Sequence, residues 1–314
     1  MKTKINLKLL KFNTPRRIVQ FVSFLLFSAL IFNFSSLPIL LPVLWTWGFK
    51  QNIVGDAFTA AQLMLSGWSM QSGATFFPWL AVASFLIFGI LIGKSLCGWV
   101  CPFGFIQDLI DFIKVKKMEI SPKTHESMTY LKYFLLGIVL LISSTFSASK
   151  LLRVYGNYEK AFGIFAYAPF TVISPAETLF ATLPKMVQGF SAAVTEKTVS
   201  EALYGILFLP ALFWVQLFIL AGILVLAVYV PRGWCRYLCP HGAIMAILNK
   251  FSFIGLRRDL VKCVKGECRE CVKACPMRVR ILDLPWEKFS DPECIYCLKC
   301  ADACPNKAIK ITYP

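Results

Sequence analysis

The residues of this sequence that can do chemistry are its twelve cysteines, which fall into four clusters separated by long stretches without any. Disulfides are expected on the oxidising side of a membrane, and grouped thiols elsewhere are more often metal ligands. Thiolates select soft metals, above all iron-sulfur clusters, zinc and copper(I). The spacing within each cluster therefore indicates which chemistry to expect.

Eight of the cysteines lie in two runs near the end of the chain. The second run reads C-x2-C-x2-C-x3-C-P, the spacing of bacterial two-cluster ferredoxins, in which the fourth thiolate binds the other cluster. The predicted ligands of cluster 1 are Cys263, Cys268, Cys271 and Cys304, and those of cluster 2 are Cys275, Cys294, Cys297 and Cys300. A zinc ribbon is disfavoured because it needs four ligands, and these are eight interlocked ones. The first run departs from the pattern with four residues, Val264 to Glu267, where two are usual.

The other two clusters are cysteine pairs inside an internal repeat. Residues 94–104 and 232–242 both read [KR]-x-x-C-x3-C-P-x-G, and each is followed by an apolar-periodic stretch typical of a helix on a membrane surface. Positions i and i+4 share a helix face, and proline places the second cysteine at a helix end. The pairs Cys97/Cys101 and Cys235/Cys239 are therefore predicted to form one metal or redox site. Iron, an additional cluster, copper and reduced thiols all stay open as its state, and four free thiols packed beside tryptophans are the alternative.

The sequence contains two histidines, His125 and His241. A transmembrane haem needs axial ligands within the membrane spans, and both histidines lie outside the predicted spans, so no haem is predicted. His241 follows Cys239 closely enough to tune or ligate a metal, but an ordinary surface hydrogen-bonding residue is the favoured interpretation. His125 is placed in a loop of charged residues.

Composition and hydropathy exclude an ordinary soluble globule, because 57% of residues are hydrophobic and the mean hydropathy is +0.64. Four uncharged apolar stretches are long enough to cross a bilayer, at about 18–36, 76–93, 133–149 and 205–230. No A-x-A-like cleavage site follows the first, so it is predicted to be a retained anchor. Each cysteine pair lies just past an even-numbered span.

The basic residues predict the orientation of these spans. Of 33 Lys and Arg residues, 27 lie in residues 1–17, 94–132 and 231–314, which should therefore face the cytoplasm. This topology and anionic lipid headgroups account for the net charge of +16 without nucleic-acid binding.

The predicted fold is an all-α membrane domain of four transmembrane helices in two tandem hairpins, residues 1–258. A small α+β bacterial-type two-cluster ferredoxin domain follows at residues 259–314. The predicted location is the cytoplasmic (inner) membrane, with both termini cytoplasmic.

These motifs resemble the NapH family of membrane polyferredoxins, which is related to the membrane halves of NosR-type proteins. The resemblance extends over nearly the whole chain and is carried by the two cysteine repeats, the paired cluster runs, Arg16-Arg17, Asp56-Ala57-Phe58 with Ala61-Gln62, Gln107-Asp108-Leu109 and Ser174-Pro175. It implies a four-helix membrane protein that passes electrons between the quinone pool and a partner redox subunit. Residues 275–292 differ from the nitrate-reductase-associated members, so the terminal acceptor stays open.

Two other functions compete with this one. The CcoG-like relatives share tandem cysteine motifs with ferredoxin clusters and look like cupric reductases that serve oxidase assembly, although Cys101-Pro102-Phe103-Gly104 is closer to the NapH and NosR pattern. An anchoring subunit with structural clusters is the third possibility, and its clusters would resist reduction at physiological potentials.

The quinone hypothesis rests partly on the lack of motifs for other electron donors or acceptors. The sequence has no glycine-rich nucleotide motif after a strand and no acid-base constellation, so a donor and an acceptor must come from outside the chain, and no catalytic residue is predicted. Quinone is soluble in lipid and can reach a four-span protein directly. Asp56 and Glu177 are candidate proton partners, with plain interfacial carboxylates as the favoured alternative.

The distribution of basic residues generates a test of topology. A reporter fused after Pro314 should be active on the cytoplasmic side, and one inserted near residue 190 should be active on the other side, because 27 of the 33 basic residues flank the spans on one side. The opposite pattern of reporter activity would reverse the predicted orientation.

Overall fold

The computed structural model describes residues 13–31, 86–113, 115–118, 120–152, 154–162, 169–183, 211–264 and 268–313. The chain divides into two compact units. The first unit comprises the described parts of residues 1–26, 86–132 and 227–314, and the second those of 27–85 and 133–226. All twelve cysteines lie in the first unit.

The described chain is mostly helical. In chain order its helices are α1 (Asn13–Ile31), α2 (Ser95–Trp99), α3 (Pro102–Ile110), α4 (Pro122–Leu151), α5 (Tyr155–Phe162), α6 (Pro169–Ile173), α7 (Pro175–Glu177), α8 (Ala211–Tyr229), α9 (Pro240–Asn249), α10 (Glu270–Lys273) and α11 (Lys299–Ala303). Two π-helical turns cover Thr178–Thr182 and Trp234–Leu238, and the strands are β1 (Gly255–Arg258) and β2 (Ile309–Thr312). The apolar stretches predicted after the two repeats are thus the helices α3 and α9.

One described helix is long and apolar enough to cross a membrane, Pro122–Phe146 within α4, and a shorter apolar helix covers Phe213–Tyr229. The predicted spans at 18–36, 76–93 and 205–230 lie partly outside the described residues. The predicted helical fold with a small α+β tail is confirmed. Four transmembrane helices stay a prediction.

The helix α1 has an inverted distribution of side chains. Arg16 and Gln20 are fully buried, whereas Ile18, Phe21 and Leu25 are 59%, 50% and 48% exposed. Water favours the opposite arrangement, because exposed polar groups are solvated and exposed apolar groups are not. Apolar side chains facing outward and polar ones facing inward are what a lipid environment favours.

The tail closes through a two-stranded antiparallel sheet. β1 pairs with β2 in a register that runs from Gly255 opposite Thr312 to Arg258 opposite Ile309, and Leu256 also bridges Phe289. Leu256 and Phe289 are almost fully buried in the core of the tail. β1 ends at the predicted domain boundary of residue 258, and the division of the chain into residues 1–258 and 259–314 stays a prediction.

A carboxylate, Asp108 in α3, lies at the buried centre of the first unit. Arg232 donates to it through Nε at 3.0 Å and Nη2 at 2.6 Å, Gln20 donates at 3.1 Å, and Arg16 forms a further ion pair. Burial acts to raise the pKa of Asp108, but the two arginines outweigh burial and hold this pKa well below its usual range. An ionised Asp108 therefore links α1, α3 and the segment that begins the second repeat.

The same side chains hold the first cysteine repeat. Arg16 Nε and Gln20 Nε2 donate to the carbonyl of Gly98 at 3.0 and 2.9 Å, and Arg232 Nη1 donates to the carbonyl of Cys97 at 3.0 Å. Each donor satisfies a buried carbonyl that would otherwise lose its hydrogen bond. The Asp108 network therefore fixes the backbone between the two cysteines of the first repeat.

We expect Asp108→Ala to destabilise the first unit by about 3–5 kcal/mol, because two buried arginines would lose their counter-charge. Unfolding of the purified protein in detergent, followed by tryptophan fluorescence, measures the change. Asp111→Ala is the matched control, since Asp111 lies one turn later, half-exposed, and pairs with Lys117 at 3.1 Å. A surface pair contributes about 0–1 kcal/mol. Equal losses in the two variants would contradict the central role of Asp108.

Candidate metal centres

The second cysteine of each repeat caps a helix. Cys101 precedes α3 and its Sγ accepts from the Gly104 amide at 3.4 Å, while Cys239 precedes α9 and accepts from the Gly242 amide at 3.3 Å. Both helices have proline at their first position, where the missing amide proton costs nothing. The C-P-x-G sequence thus places each sulfur at a helix N-terminus, where the helix dipole stabilises a thiolate.

The first cysteine of each repeat lies in the turn before that helix, and the two turns differ. Cys97 lies in the short α-helix α2, and Cys235 lies in the π-helical turn Trp234–Leu238. The glycine keeps this turn close to the following helix, since a Cβ at Gly104 would lie 3.1 Å from the carbonyl oxygen of Cys97. Both first cysteines are buried.

The thiols of the two repeats lie close enough to influence one another's pKa values, and a shared site stays a prediction. Burial raises the pKa of Cys101, and the nearby thiols of Cys235 and Cys97 raise it further. The pKa of Cys239 is raised in the same way by burial and by the other three thiols. We call Cys97, Cys101, Cys235 and Cys239 the four-cysteine site.

The donor set of the four-cysteine site fits a soft multi-iron cofactor. Burial raises the pKa of Cys97 to about 11, and Lys94 and Arg232 oppose that rise, so a bound cation would have to displace the thiol protons. Among the described residues, no three His, Cys, Asp or Glu side chains are grouped closely enough to coordinate a single metal ion. The thiolates of a cubane each bind a different iron and need not converge on one point. Among the described residues the ferredoxin cysteines are not grouped in that way either.

A cavity in the tail is lined by the four predicted ligands of cluster 2, Cys275, Cys294, Cys297 and Cys300. Apolar side chains complete its wall, including those of Leu256, Met277 and Ile295. Two residues beside Cys297 adopt left-handed backbone conformations, Tyr296 with φ 47° and Leu298 with φ 58°. The lining of this cavity contains the four thiols that a 4Fe-4S cluster requires.

The two Cys-Pro sequences of the tail form the same turn. Arg278, three residues after Cys275, has φ 53°, and Lys307, three residues after Cys304, has φ 48°. The next amide donates to the cysteine sulfur in both turns, from Val279 to Cys275 at 3.4 Å and from Ala308 to Cys304 at 3.3 Å. Hydrogen bonds to the sulfurs are one determinant of the cluster potential.

The tail cysteines influence one another's pKa values, and the crossed ligand sets stay a prediction. Burial raises the pKa of Cys271, followed by the thiols of Cys304, Cys263 and Cys268. The pKa of Cys300 is raised by burial and then by Cys297, Cys294 and Cys275, with Cys271 as the weakest influence. Cys271 and Cys304 therefore influence one another although 32 residues separate them, and Cys300 is influenced by Cys271 as well as by the other three predicted cluster 2 ligands.

The first repeat contacts the loop that carries the cluster 2 ligands. Trp99 Nε1 donates to the carbonyl of Tyr296 at 2.9 Å. Gly98 lies so close to this loop that a Cβ on it would be 2.2 Å from the carbonyl oxygen of Ile295, so only glycine fits. In the second repeat, Arg236 donates to the carbonyl of Pro276, directly after Cys275. Both repeats thus contact the wall of the cluster 2 site.

Further polar contacts to the same loop hold Glu293, which precedes Cys294. Lys94 donates to Glu293 Oε2 at 3.0 Å, and Lys132 of α4 pairs with Oε1. Burial acts to raise the pKa of Glu293, but the two lysines outweigh it and the pKa is lowered. Asn249 Nδ2 donates to the carbonyl of Cys294 at 3.1 Å.

The sequence analysis also assigned positions or roles to two histidines and two carboxylates, and the structure describes three of these four residues. His125 lies in the first turn of α4, bonded to the Tyr237 hydroxyl at 2.8 Å, so its assignment to a loop is wrong. His241 is buried in α9 rather than on the surface, because its helix packs inward at that position. Glu177 ends α7, where its amide donates to Ser174 Oγ at 3.4 Å. Asp56 lies outside the described residues.

Several residues that position the cysteines could not be assigned that role from the sequence. They are Arg16, Gln20, Gln107, Asp108, Asn249 and Glu293. Arg16, Gln107 and Asp108 are part of the resemblance to the NapH family, which assigned them no role. The sequence contains one further indication that such residues are buried. A polar residue within an apolar-periodic helix, as in α1, indicates a buried partner.

Comparison with known proteins identifies the class. The family described as a 4Fe-4S binding domain matches residues 74–120 and 211–259, so each match contains one cysteine repeat. The family described as a 4Fe-4S dicluster domain matches residues 262–309, the region of the eight tail cysteines. The chain is therefore an iron-sulfur electron-transfer protein with a two-cluster ferredoxin tail. No solved structure matches it.

The relatives of the chain indicate which iron-sulfur proteins it resembles. Protein NirI of Paracoccus denitrificans is 28% identical over 81% of this chain and 31% of its own length. The ferredoxin-type protein NapH of Haemophilus influenzae is 26% identical over 72% of this chain and 65% of its own. The uncharacterized protein MJ0750 of Methanocaldococcus jannaschii is 26% identical over 73% and 76%. These relatives confirm the predicted resemblance to NapH-type polyferredoxins.

The grouping of the tail cysteines generates a test of the crossed ligand sets. Cys304→Ser and Cys271→Ser should lose the same reduced-cluster signal in electron paramagnetic resonance, and Cys275→Ser and Cys294→Ser should lose the other, because each pair serves one cluster. Each variant should also lose about four irons per chain. If Cys304→Ser removes the same signal as Cys294→Ser, the crossed assignment is wrong.

Proposed function

We propose that this protein passes electrons between membrane quinone and a separate redox subunit through three sites in series: the four-cysteine site, cluster 2 and cluster 1. The observation that carries the proposal is the hydrogen bond from Trp99 to the carbonyl of Tyr296 at 2.9 Å. It links the loop of the first repeat directly to the loop that carries the cluster 2 ligands. In the proposed route electrons then pass from cluster 2 to cluster 1, whose predicted ligand Cys271 influences the pKa of Cys300.

A third 4Fe-4S cluster at the four-cysteine site is part of this proposal. Four neighbouring thiols and the match of the 4Fe-4S binding family to both repeats support it. Such a cluster would supply one-electron transfer at this position. The chain's own contribution is to hold two of the sulfurs at helix N-termini, to donate amide hydrogen bonds from Gly104 and Gly242, and to bury Cys97 and Cys235 away from water.

The quinone end is assigned to the four-cysteine site. Its first repeat is bonded to Arg16 and Gln20 of α1, the helix whose apolar side chains face outward. A carrier dissolved in lipid therefore meets this site before it meets the tail. Lys132 pairs with Glu293, so the cluster 2 loop is also bonded to α4, which contains the candidate membrane-crossing segment.

The partner end is assigned to cluster 1. Val261 and Leu260, just before Cys263, are 97% and 51% exposed, which makes this part of the tail accessible to another protein. Exposed apolar side chains beside a redox centre suit a transient protein contact. With both termini cytoplasmic, as the basic residues predict, the partner subunit would bind on the cytoplasmic side.

Anaerobic stopped-flow with a quinol analogue tests the route. Quinol should bleach the visible absorbance of the clusters in the wild type, and Cys239→Ser should abolish this bleaching while dithionite still reduces the tail clusters. Cys304→Ser is the control, because loss of cluster 1 at the far end leaves the quinol step intact.

Three outcomes would contradict parts of the proposal. Clusters that neither reduce with quinol nor reoxidise with quinone would overturn the quinone function. Rapid reoxidation by cupric ion in that case would favour a metal reductase of the CcoG type. Equal quinol reduction in Cys239→Ser and the wild type would remove the four-cysteine site from the route.

A further inference from the structure

One buried side chain that ligates nothing is bonded to a thiol of the four-cysteine site. Gln107 of α3 is fully buried, and its Nε2 donates to Cys235 Sγ at 3.1 Å. Its Oε1 has no hydrogen-bond partner among the described residues. A buried amide with an unmet acceptor is costly, so the position of Gln107 calls for a role other than stability.

The chemistry of the contact allows one orientation of the amide once the thiol is a ligand. A ligating thiolate has no proton and only accepts hydrogen bonds, whereas the amide nitrogen only donates. Gln107 therefore presents N–H to the sulfur. The bond crosses between the repeats, from a helix of the first to a cysteine of the second.

Only the first of the two repeats has an amide donor at this position. Gln107 is six residues after Cys101, and the equivalent residue, six after Cys239, is Met245. Met245 is also fully buried, but a thioether has no proton to donate. The neighbouring position differs as well, with Asp108 in the first repeat and Ala246 in the second. The two repeats thus give the site similar sulfurs and different surroundings.

We propose that Gln107 raises the reduction potential of the group held by the four-cysteine site. This inference rests on the proposed function, since it requires a redox group there. An added electron increases the negative charge on the ligating sulfurs, and an N–H donor to Cys235 stabilises that charge. One electron enters, no covalent bond changes, and the amide proton stays on Gln107. The charge of Asp108 does not cancel the effect, because Arg16 and Arg232 compensate it.

A higher potential at this site suits its proposed place at the quinone end. Quinol is a weaker reductant than the partners of low-potential ferredoxins, so the first acceptor must take its electron readily. Gln107 is a positioning residue in this scheme, acting through Cys235, and contacts neither quinone nor iron.

The test is a redox titration of Gln107→Met, which gives position 107 the side chain found at 245. At a fixed ambient potential near the midpoint, the ratio of oxidised to reduced four-cysteine site should rise about tenfold, equivalent to roughly 59 mV for a one-electron couple. Met245→Leu is the matched control, with equal burial and no donor lost, and should titrate like the wild type. Iron content is measured in all three proteins.

The outcomes separate this inference from the proposed function. A third cluster signal with the same potential in Gln107→Met and the wild type would overturn the role of Gln107 alone. A wild type with only two cluster signals would overturn the third cluster and the role of Gln107 with it. If Gln107→Met loses iron, pulsed electron paramagnetic resonance on wild-type protein with 15N-labelled glutamine decides: a nitrogen coupling to the reduced third cluster supports the contact, and its absence overturns it.

Discussion

The first unit is organised around a buried cluster of three charged side chains from distant parts of the chain. Asp108 lies at its centre and forms ion pairs with Arg16 and Arg232. An isolated carboxylate in this position would be prohibitively costly, and so would either arginine. Together they neutralise one another, and their remaining donors hold the carbonyls of Cys97 and Gly98. The backbone of the first repeat is therefore positioned by charges that cannot be removed singly.

The [KR] position that opens each repeat illustrates how one motif serves two purposes. Arg232 forms a bidentate pair with Asp108 and joins the repeats to one another, whereas Lys94 shares Glu293 with Lys132 and joins the first repeat to the tail. The planar guanidinium suits the two-oxygen contact, and the ammonium suits a shared one. Sequence similarity between the repeats therefore conceals a difference in partners.

Local features of the fold were predictable from the sequence because they depend on nearby residues. The apolar periodicity after each repeat indicated a helix after Cys101 and after Cys239, and both helices are present. The spacing of the tail cysteines indicated two interlocked 4Fe-4S sites. The two repeats have the same cysteine spacing, and this spacing did not predict that residues 234–238 form a π-helical turn where the first repeat has an α-helix.

Contacts between distant residues were not predictable, since nothing in a single sequence pairs Gln107 with Cys235 or Trp99 with Tyr296. Such pairs arise from how the elements pack, and the burial of His241 is of the same kind. The side chains of α1 were predictable only in part. The polar residues Arg16 and Gln20 within an apolar helix indicate buried positions, but the sequence does not identify their shared partner Asp108, which lies 92 and 88 residues away.

The close approach of Gly98 to Ile295 has a consequence for how the protein is made. The surface that receives this glycine is synthesised about two hundred residues after it, and domains fold in the order in which the ribosome delivers them. The packing surface of the first repeat is therefore completed only when the last fifth of the chain has been synthesised.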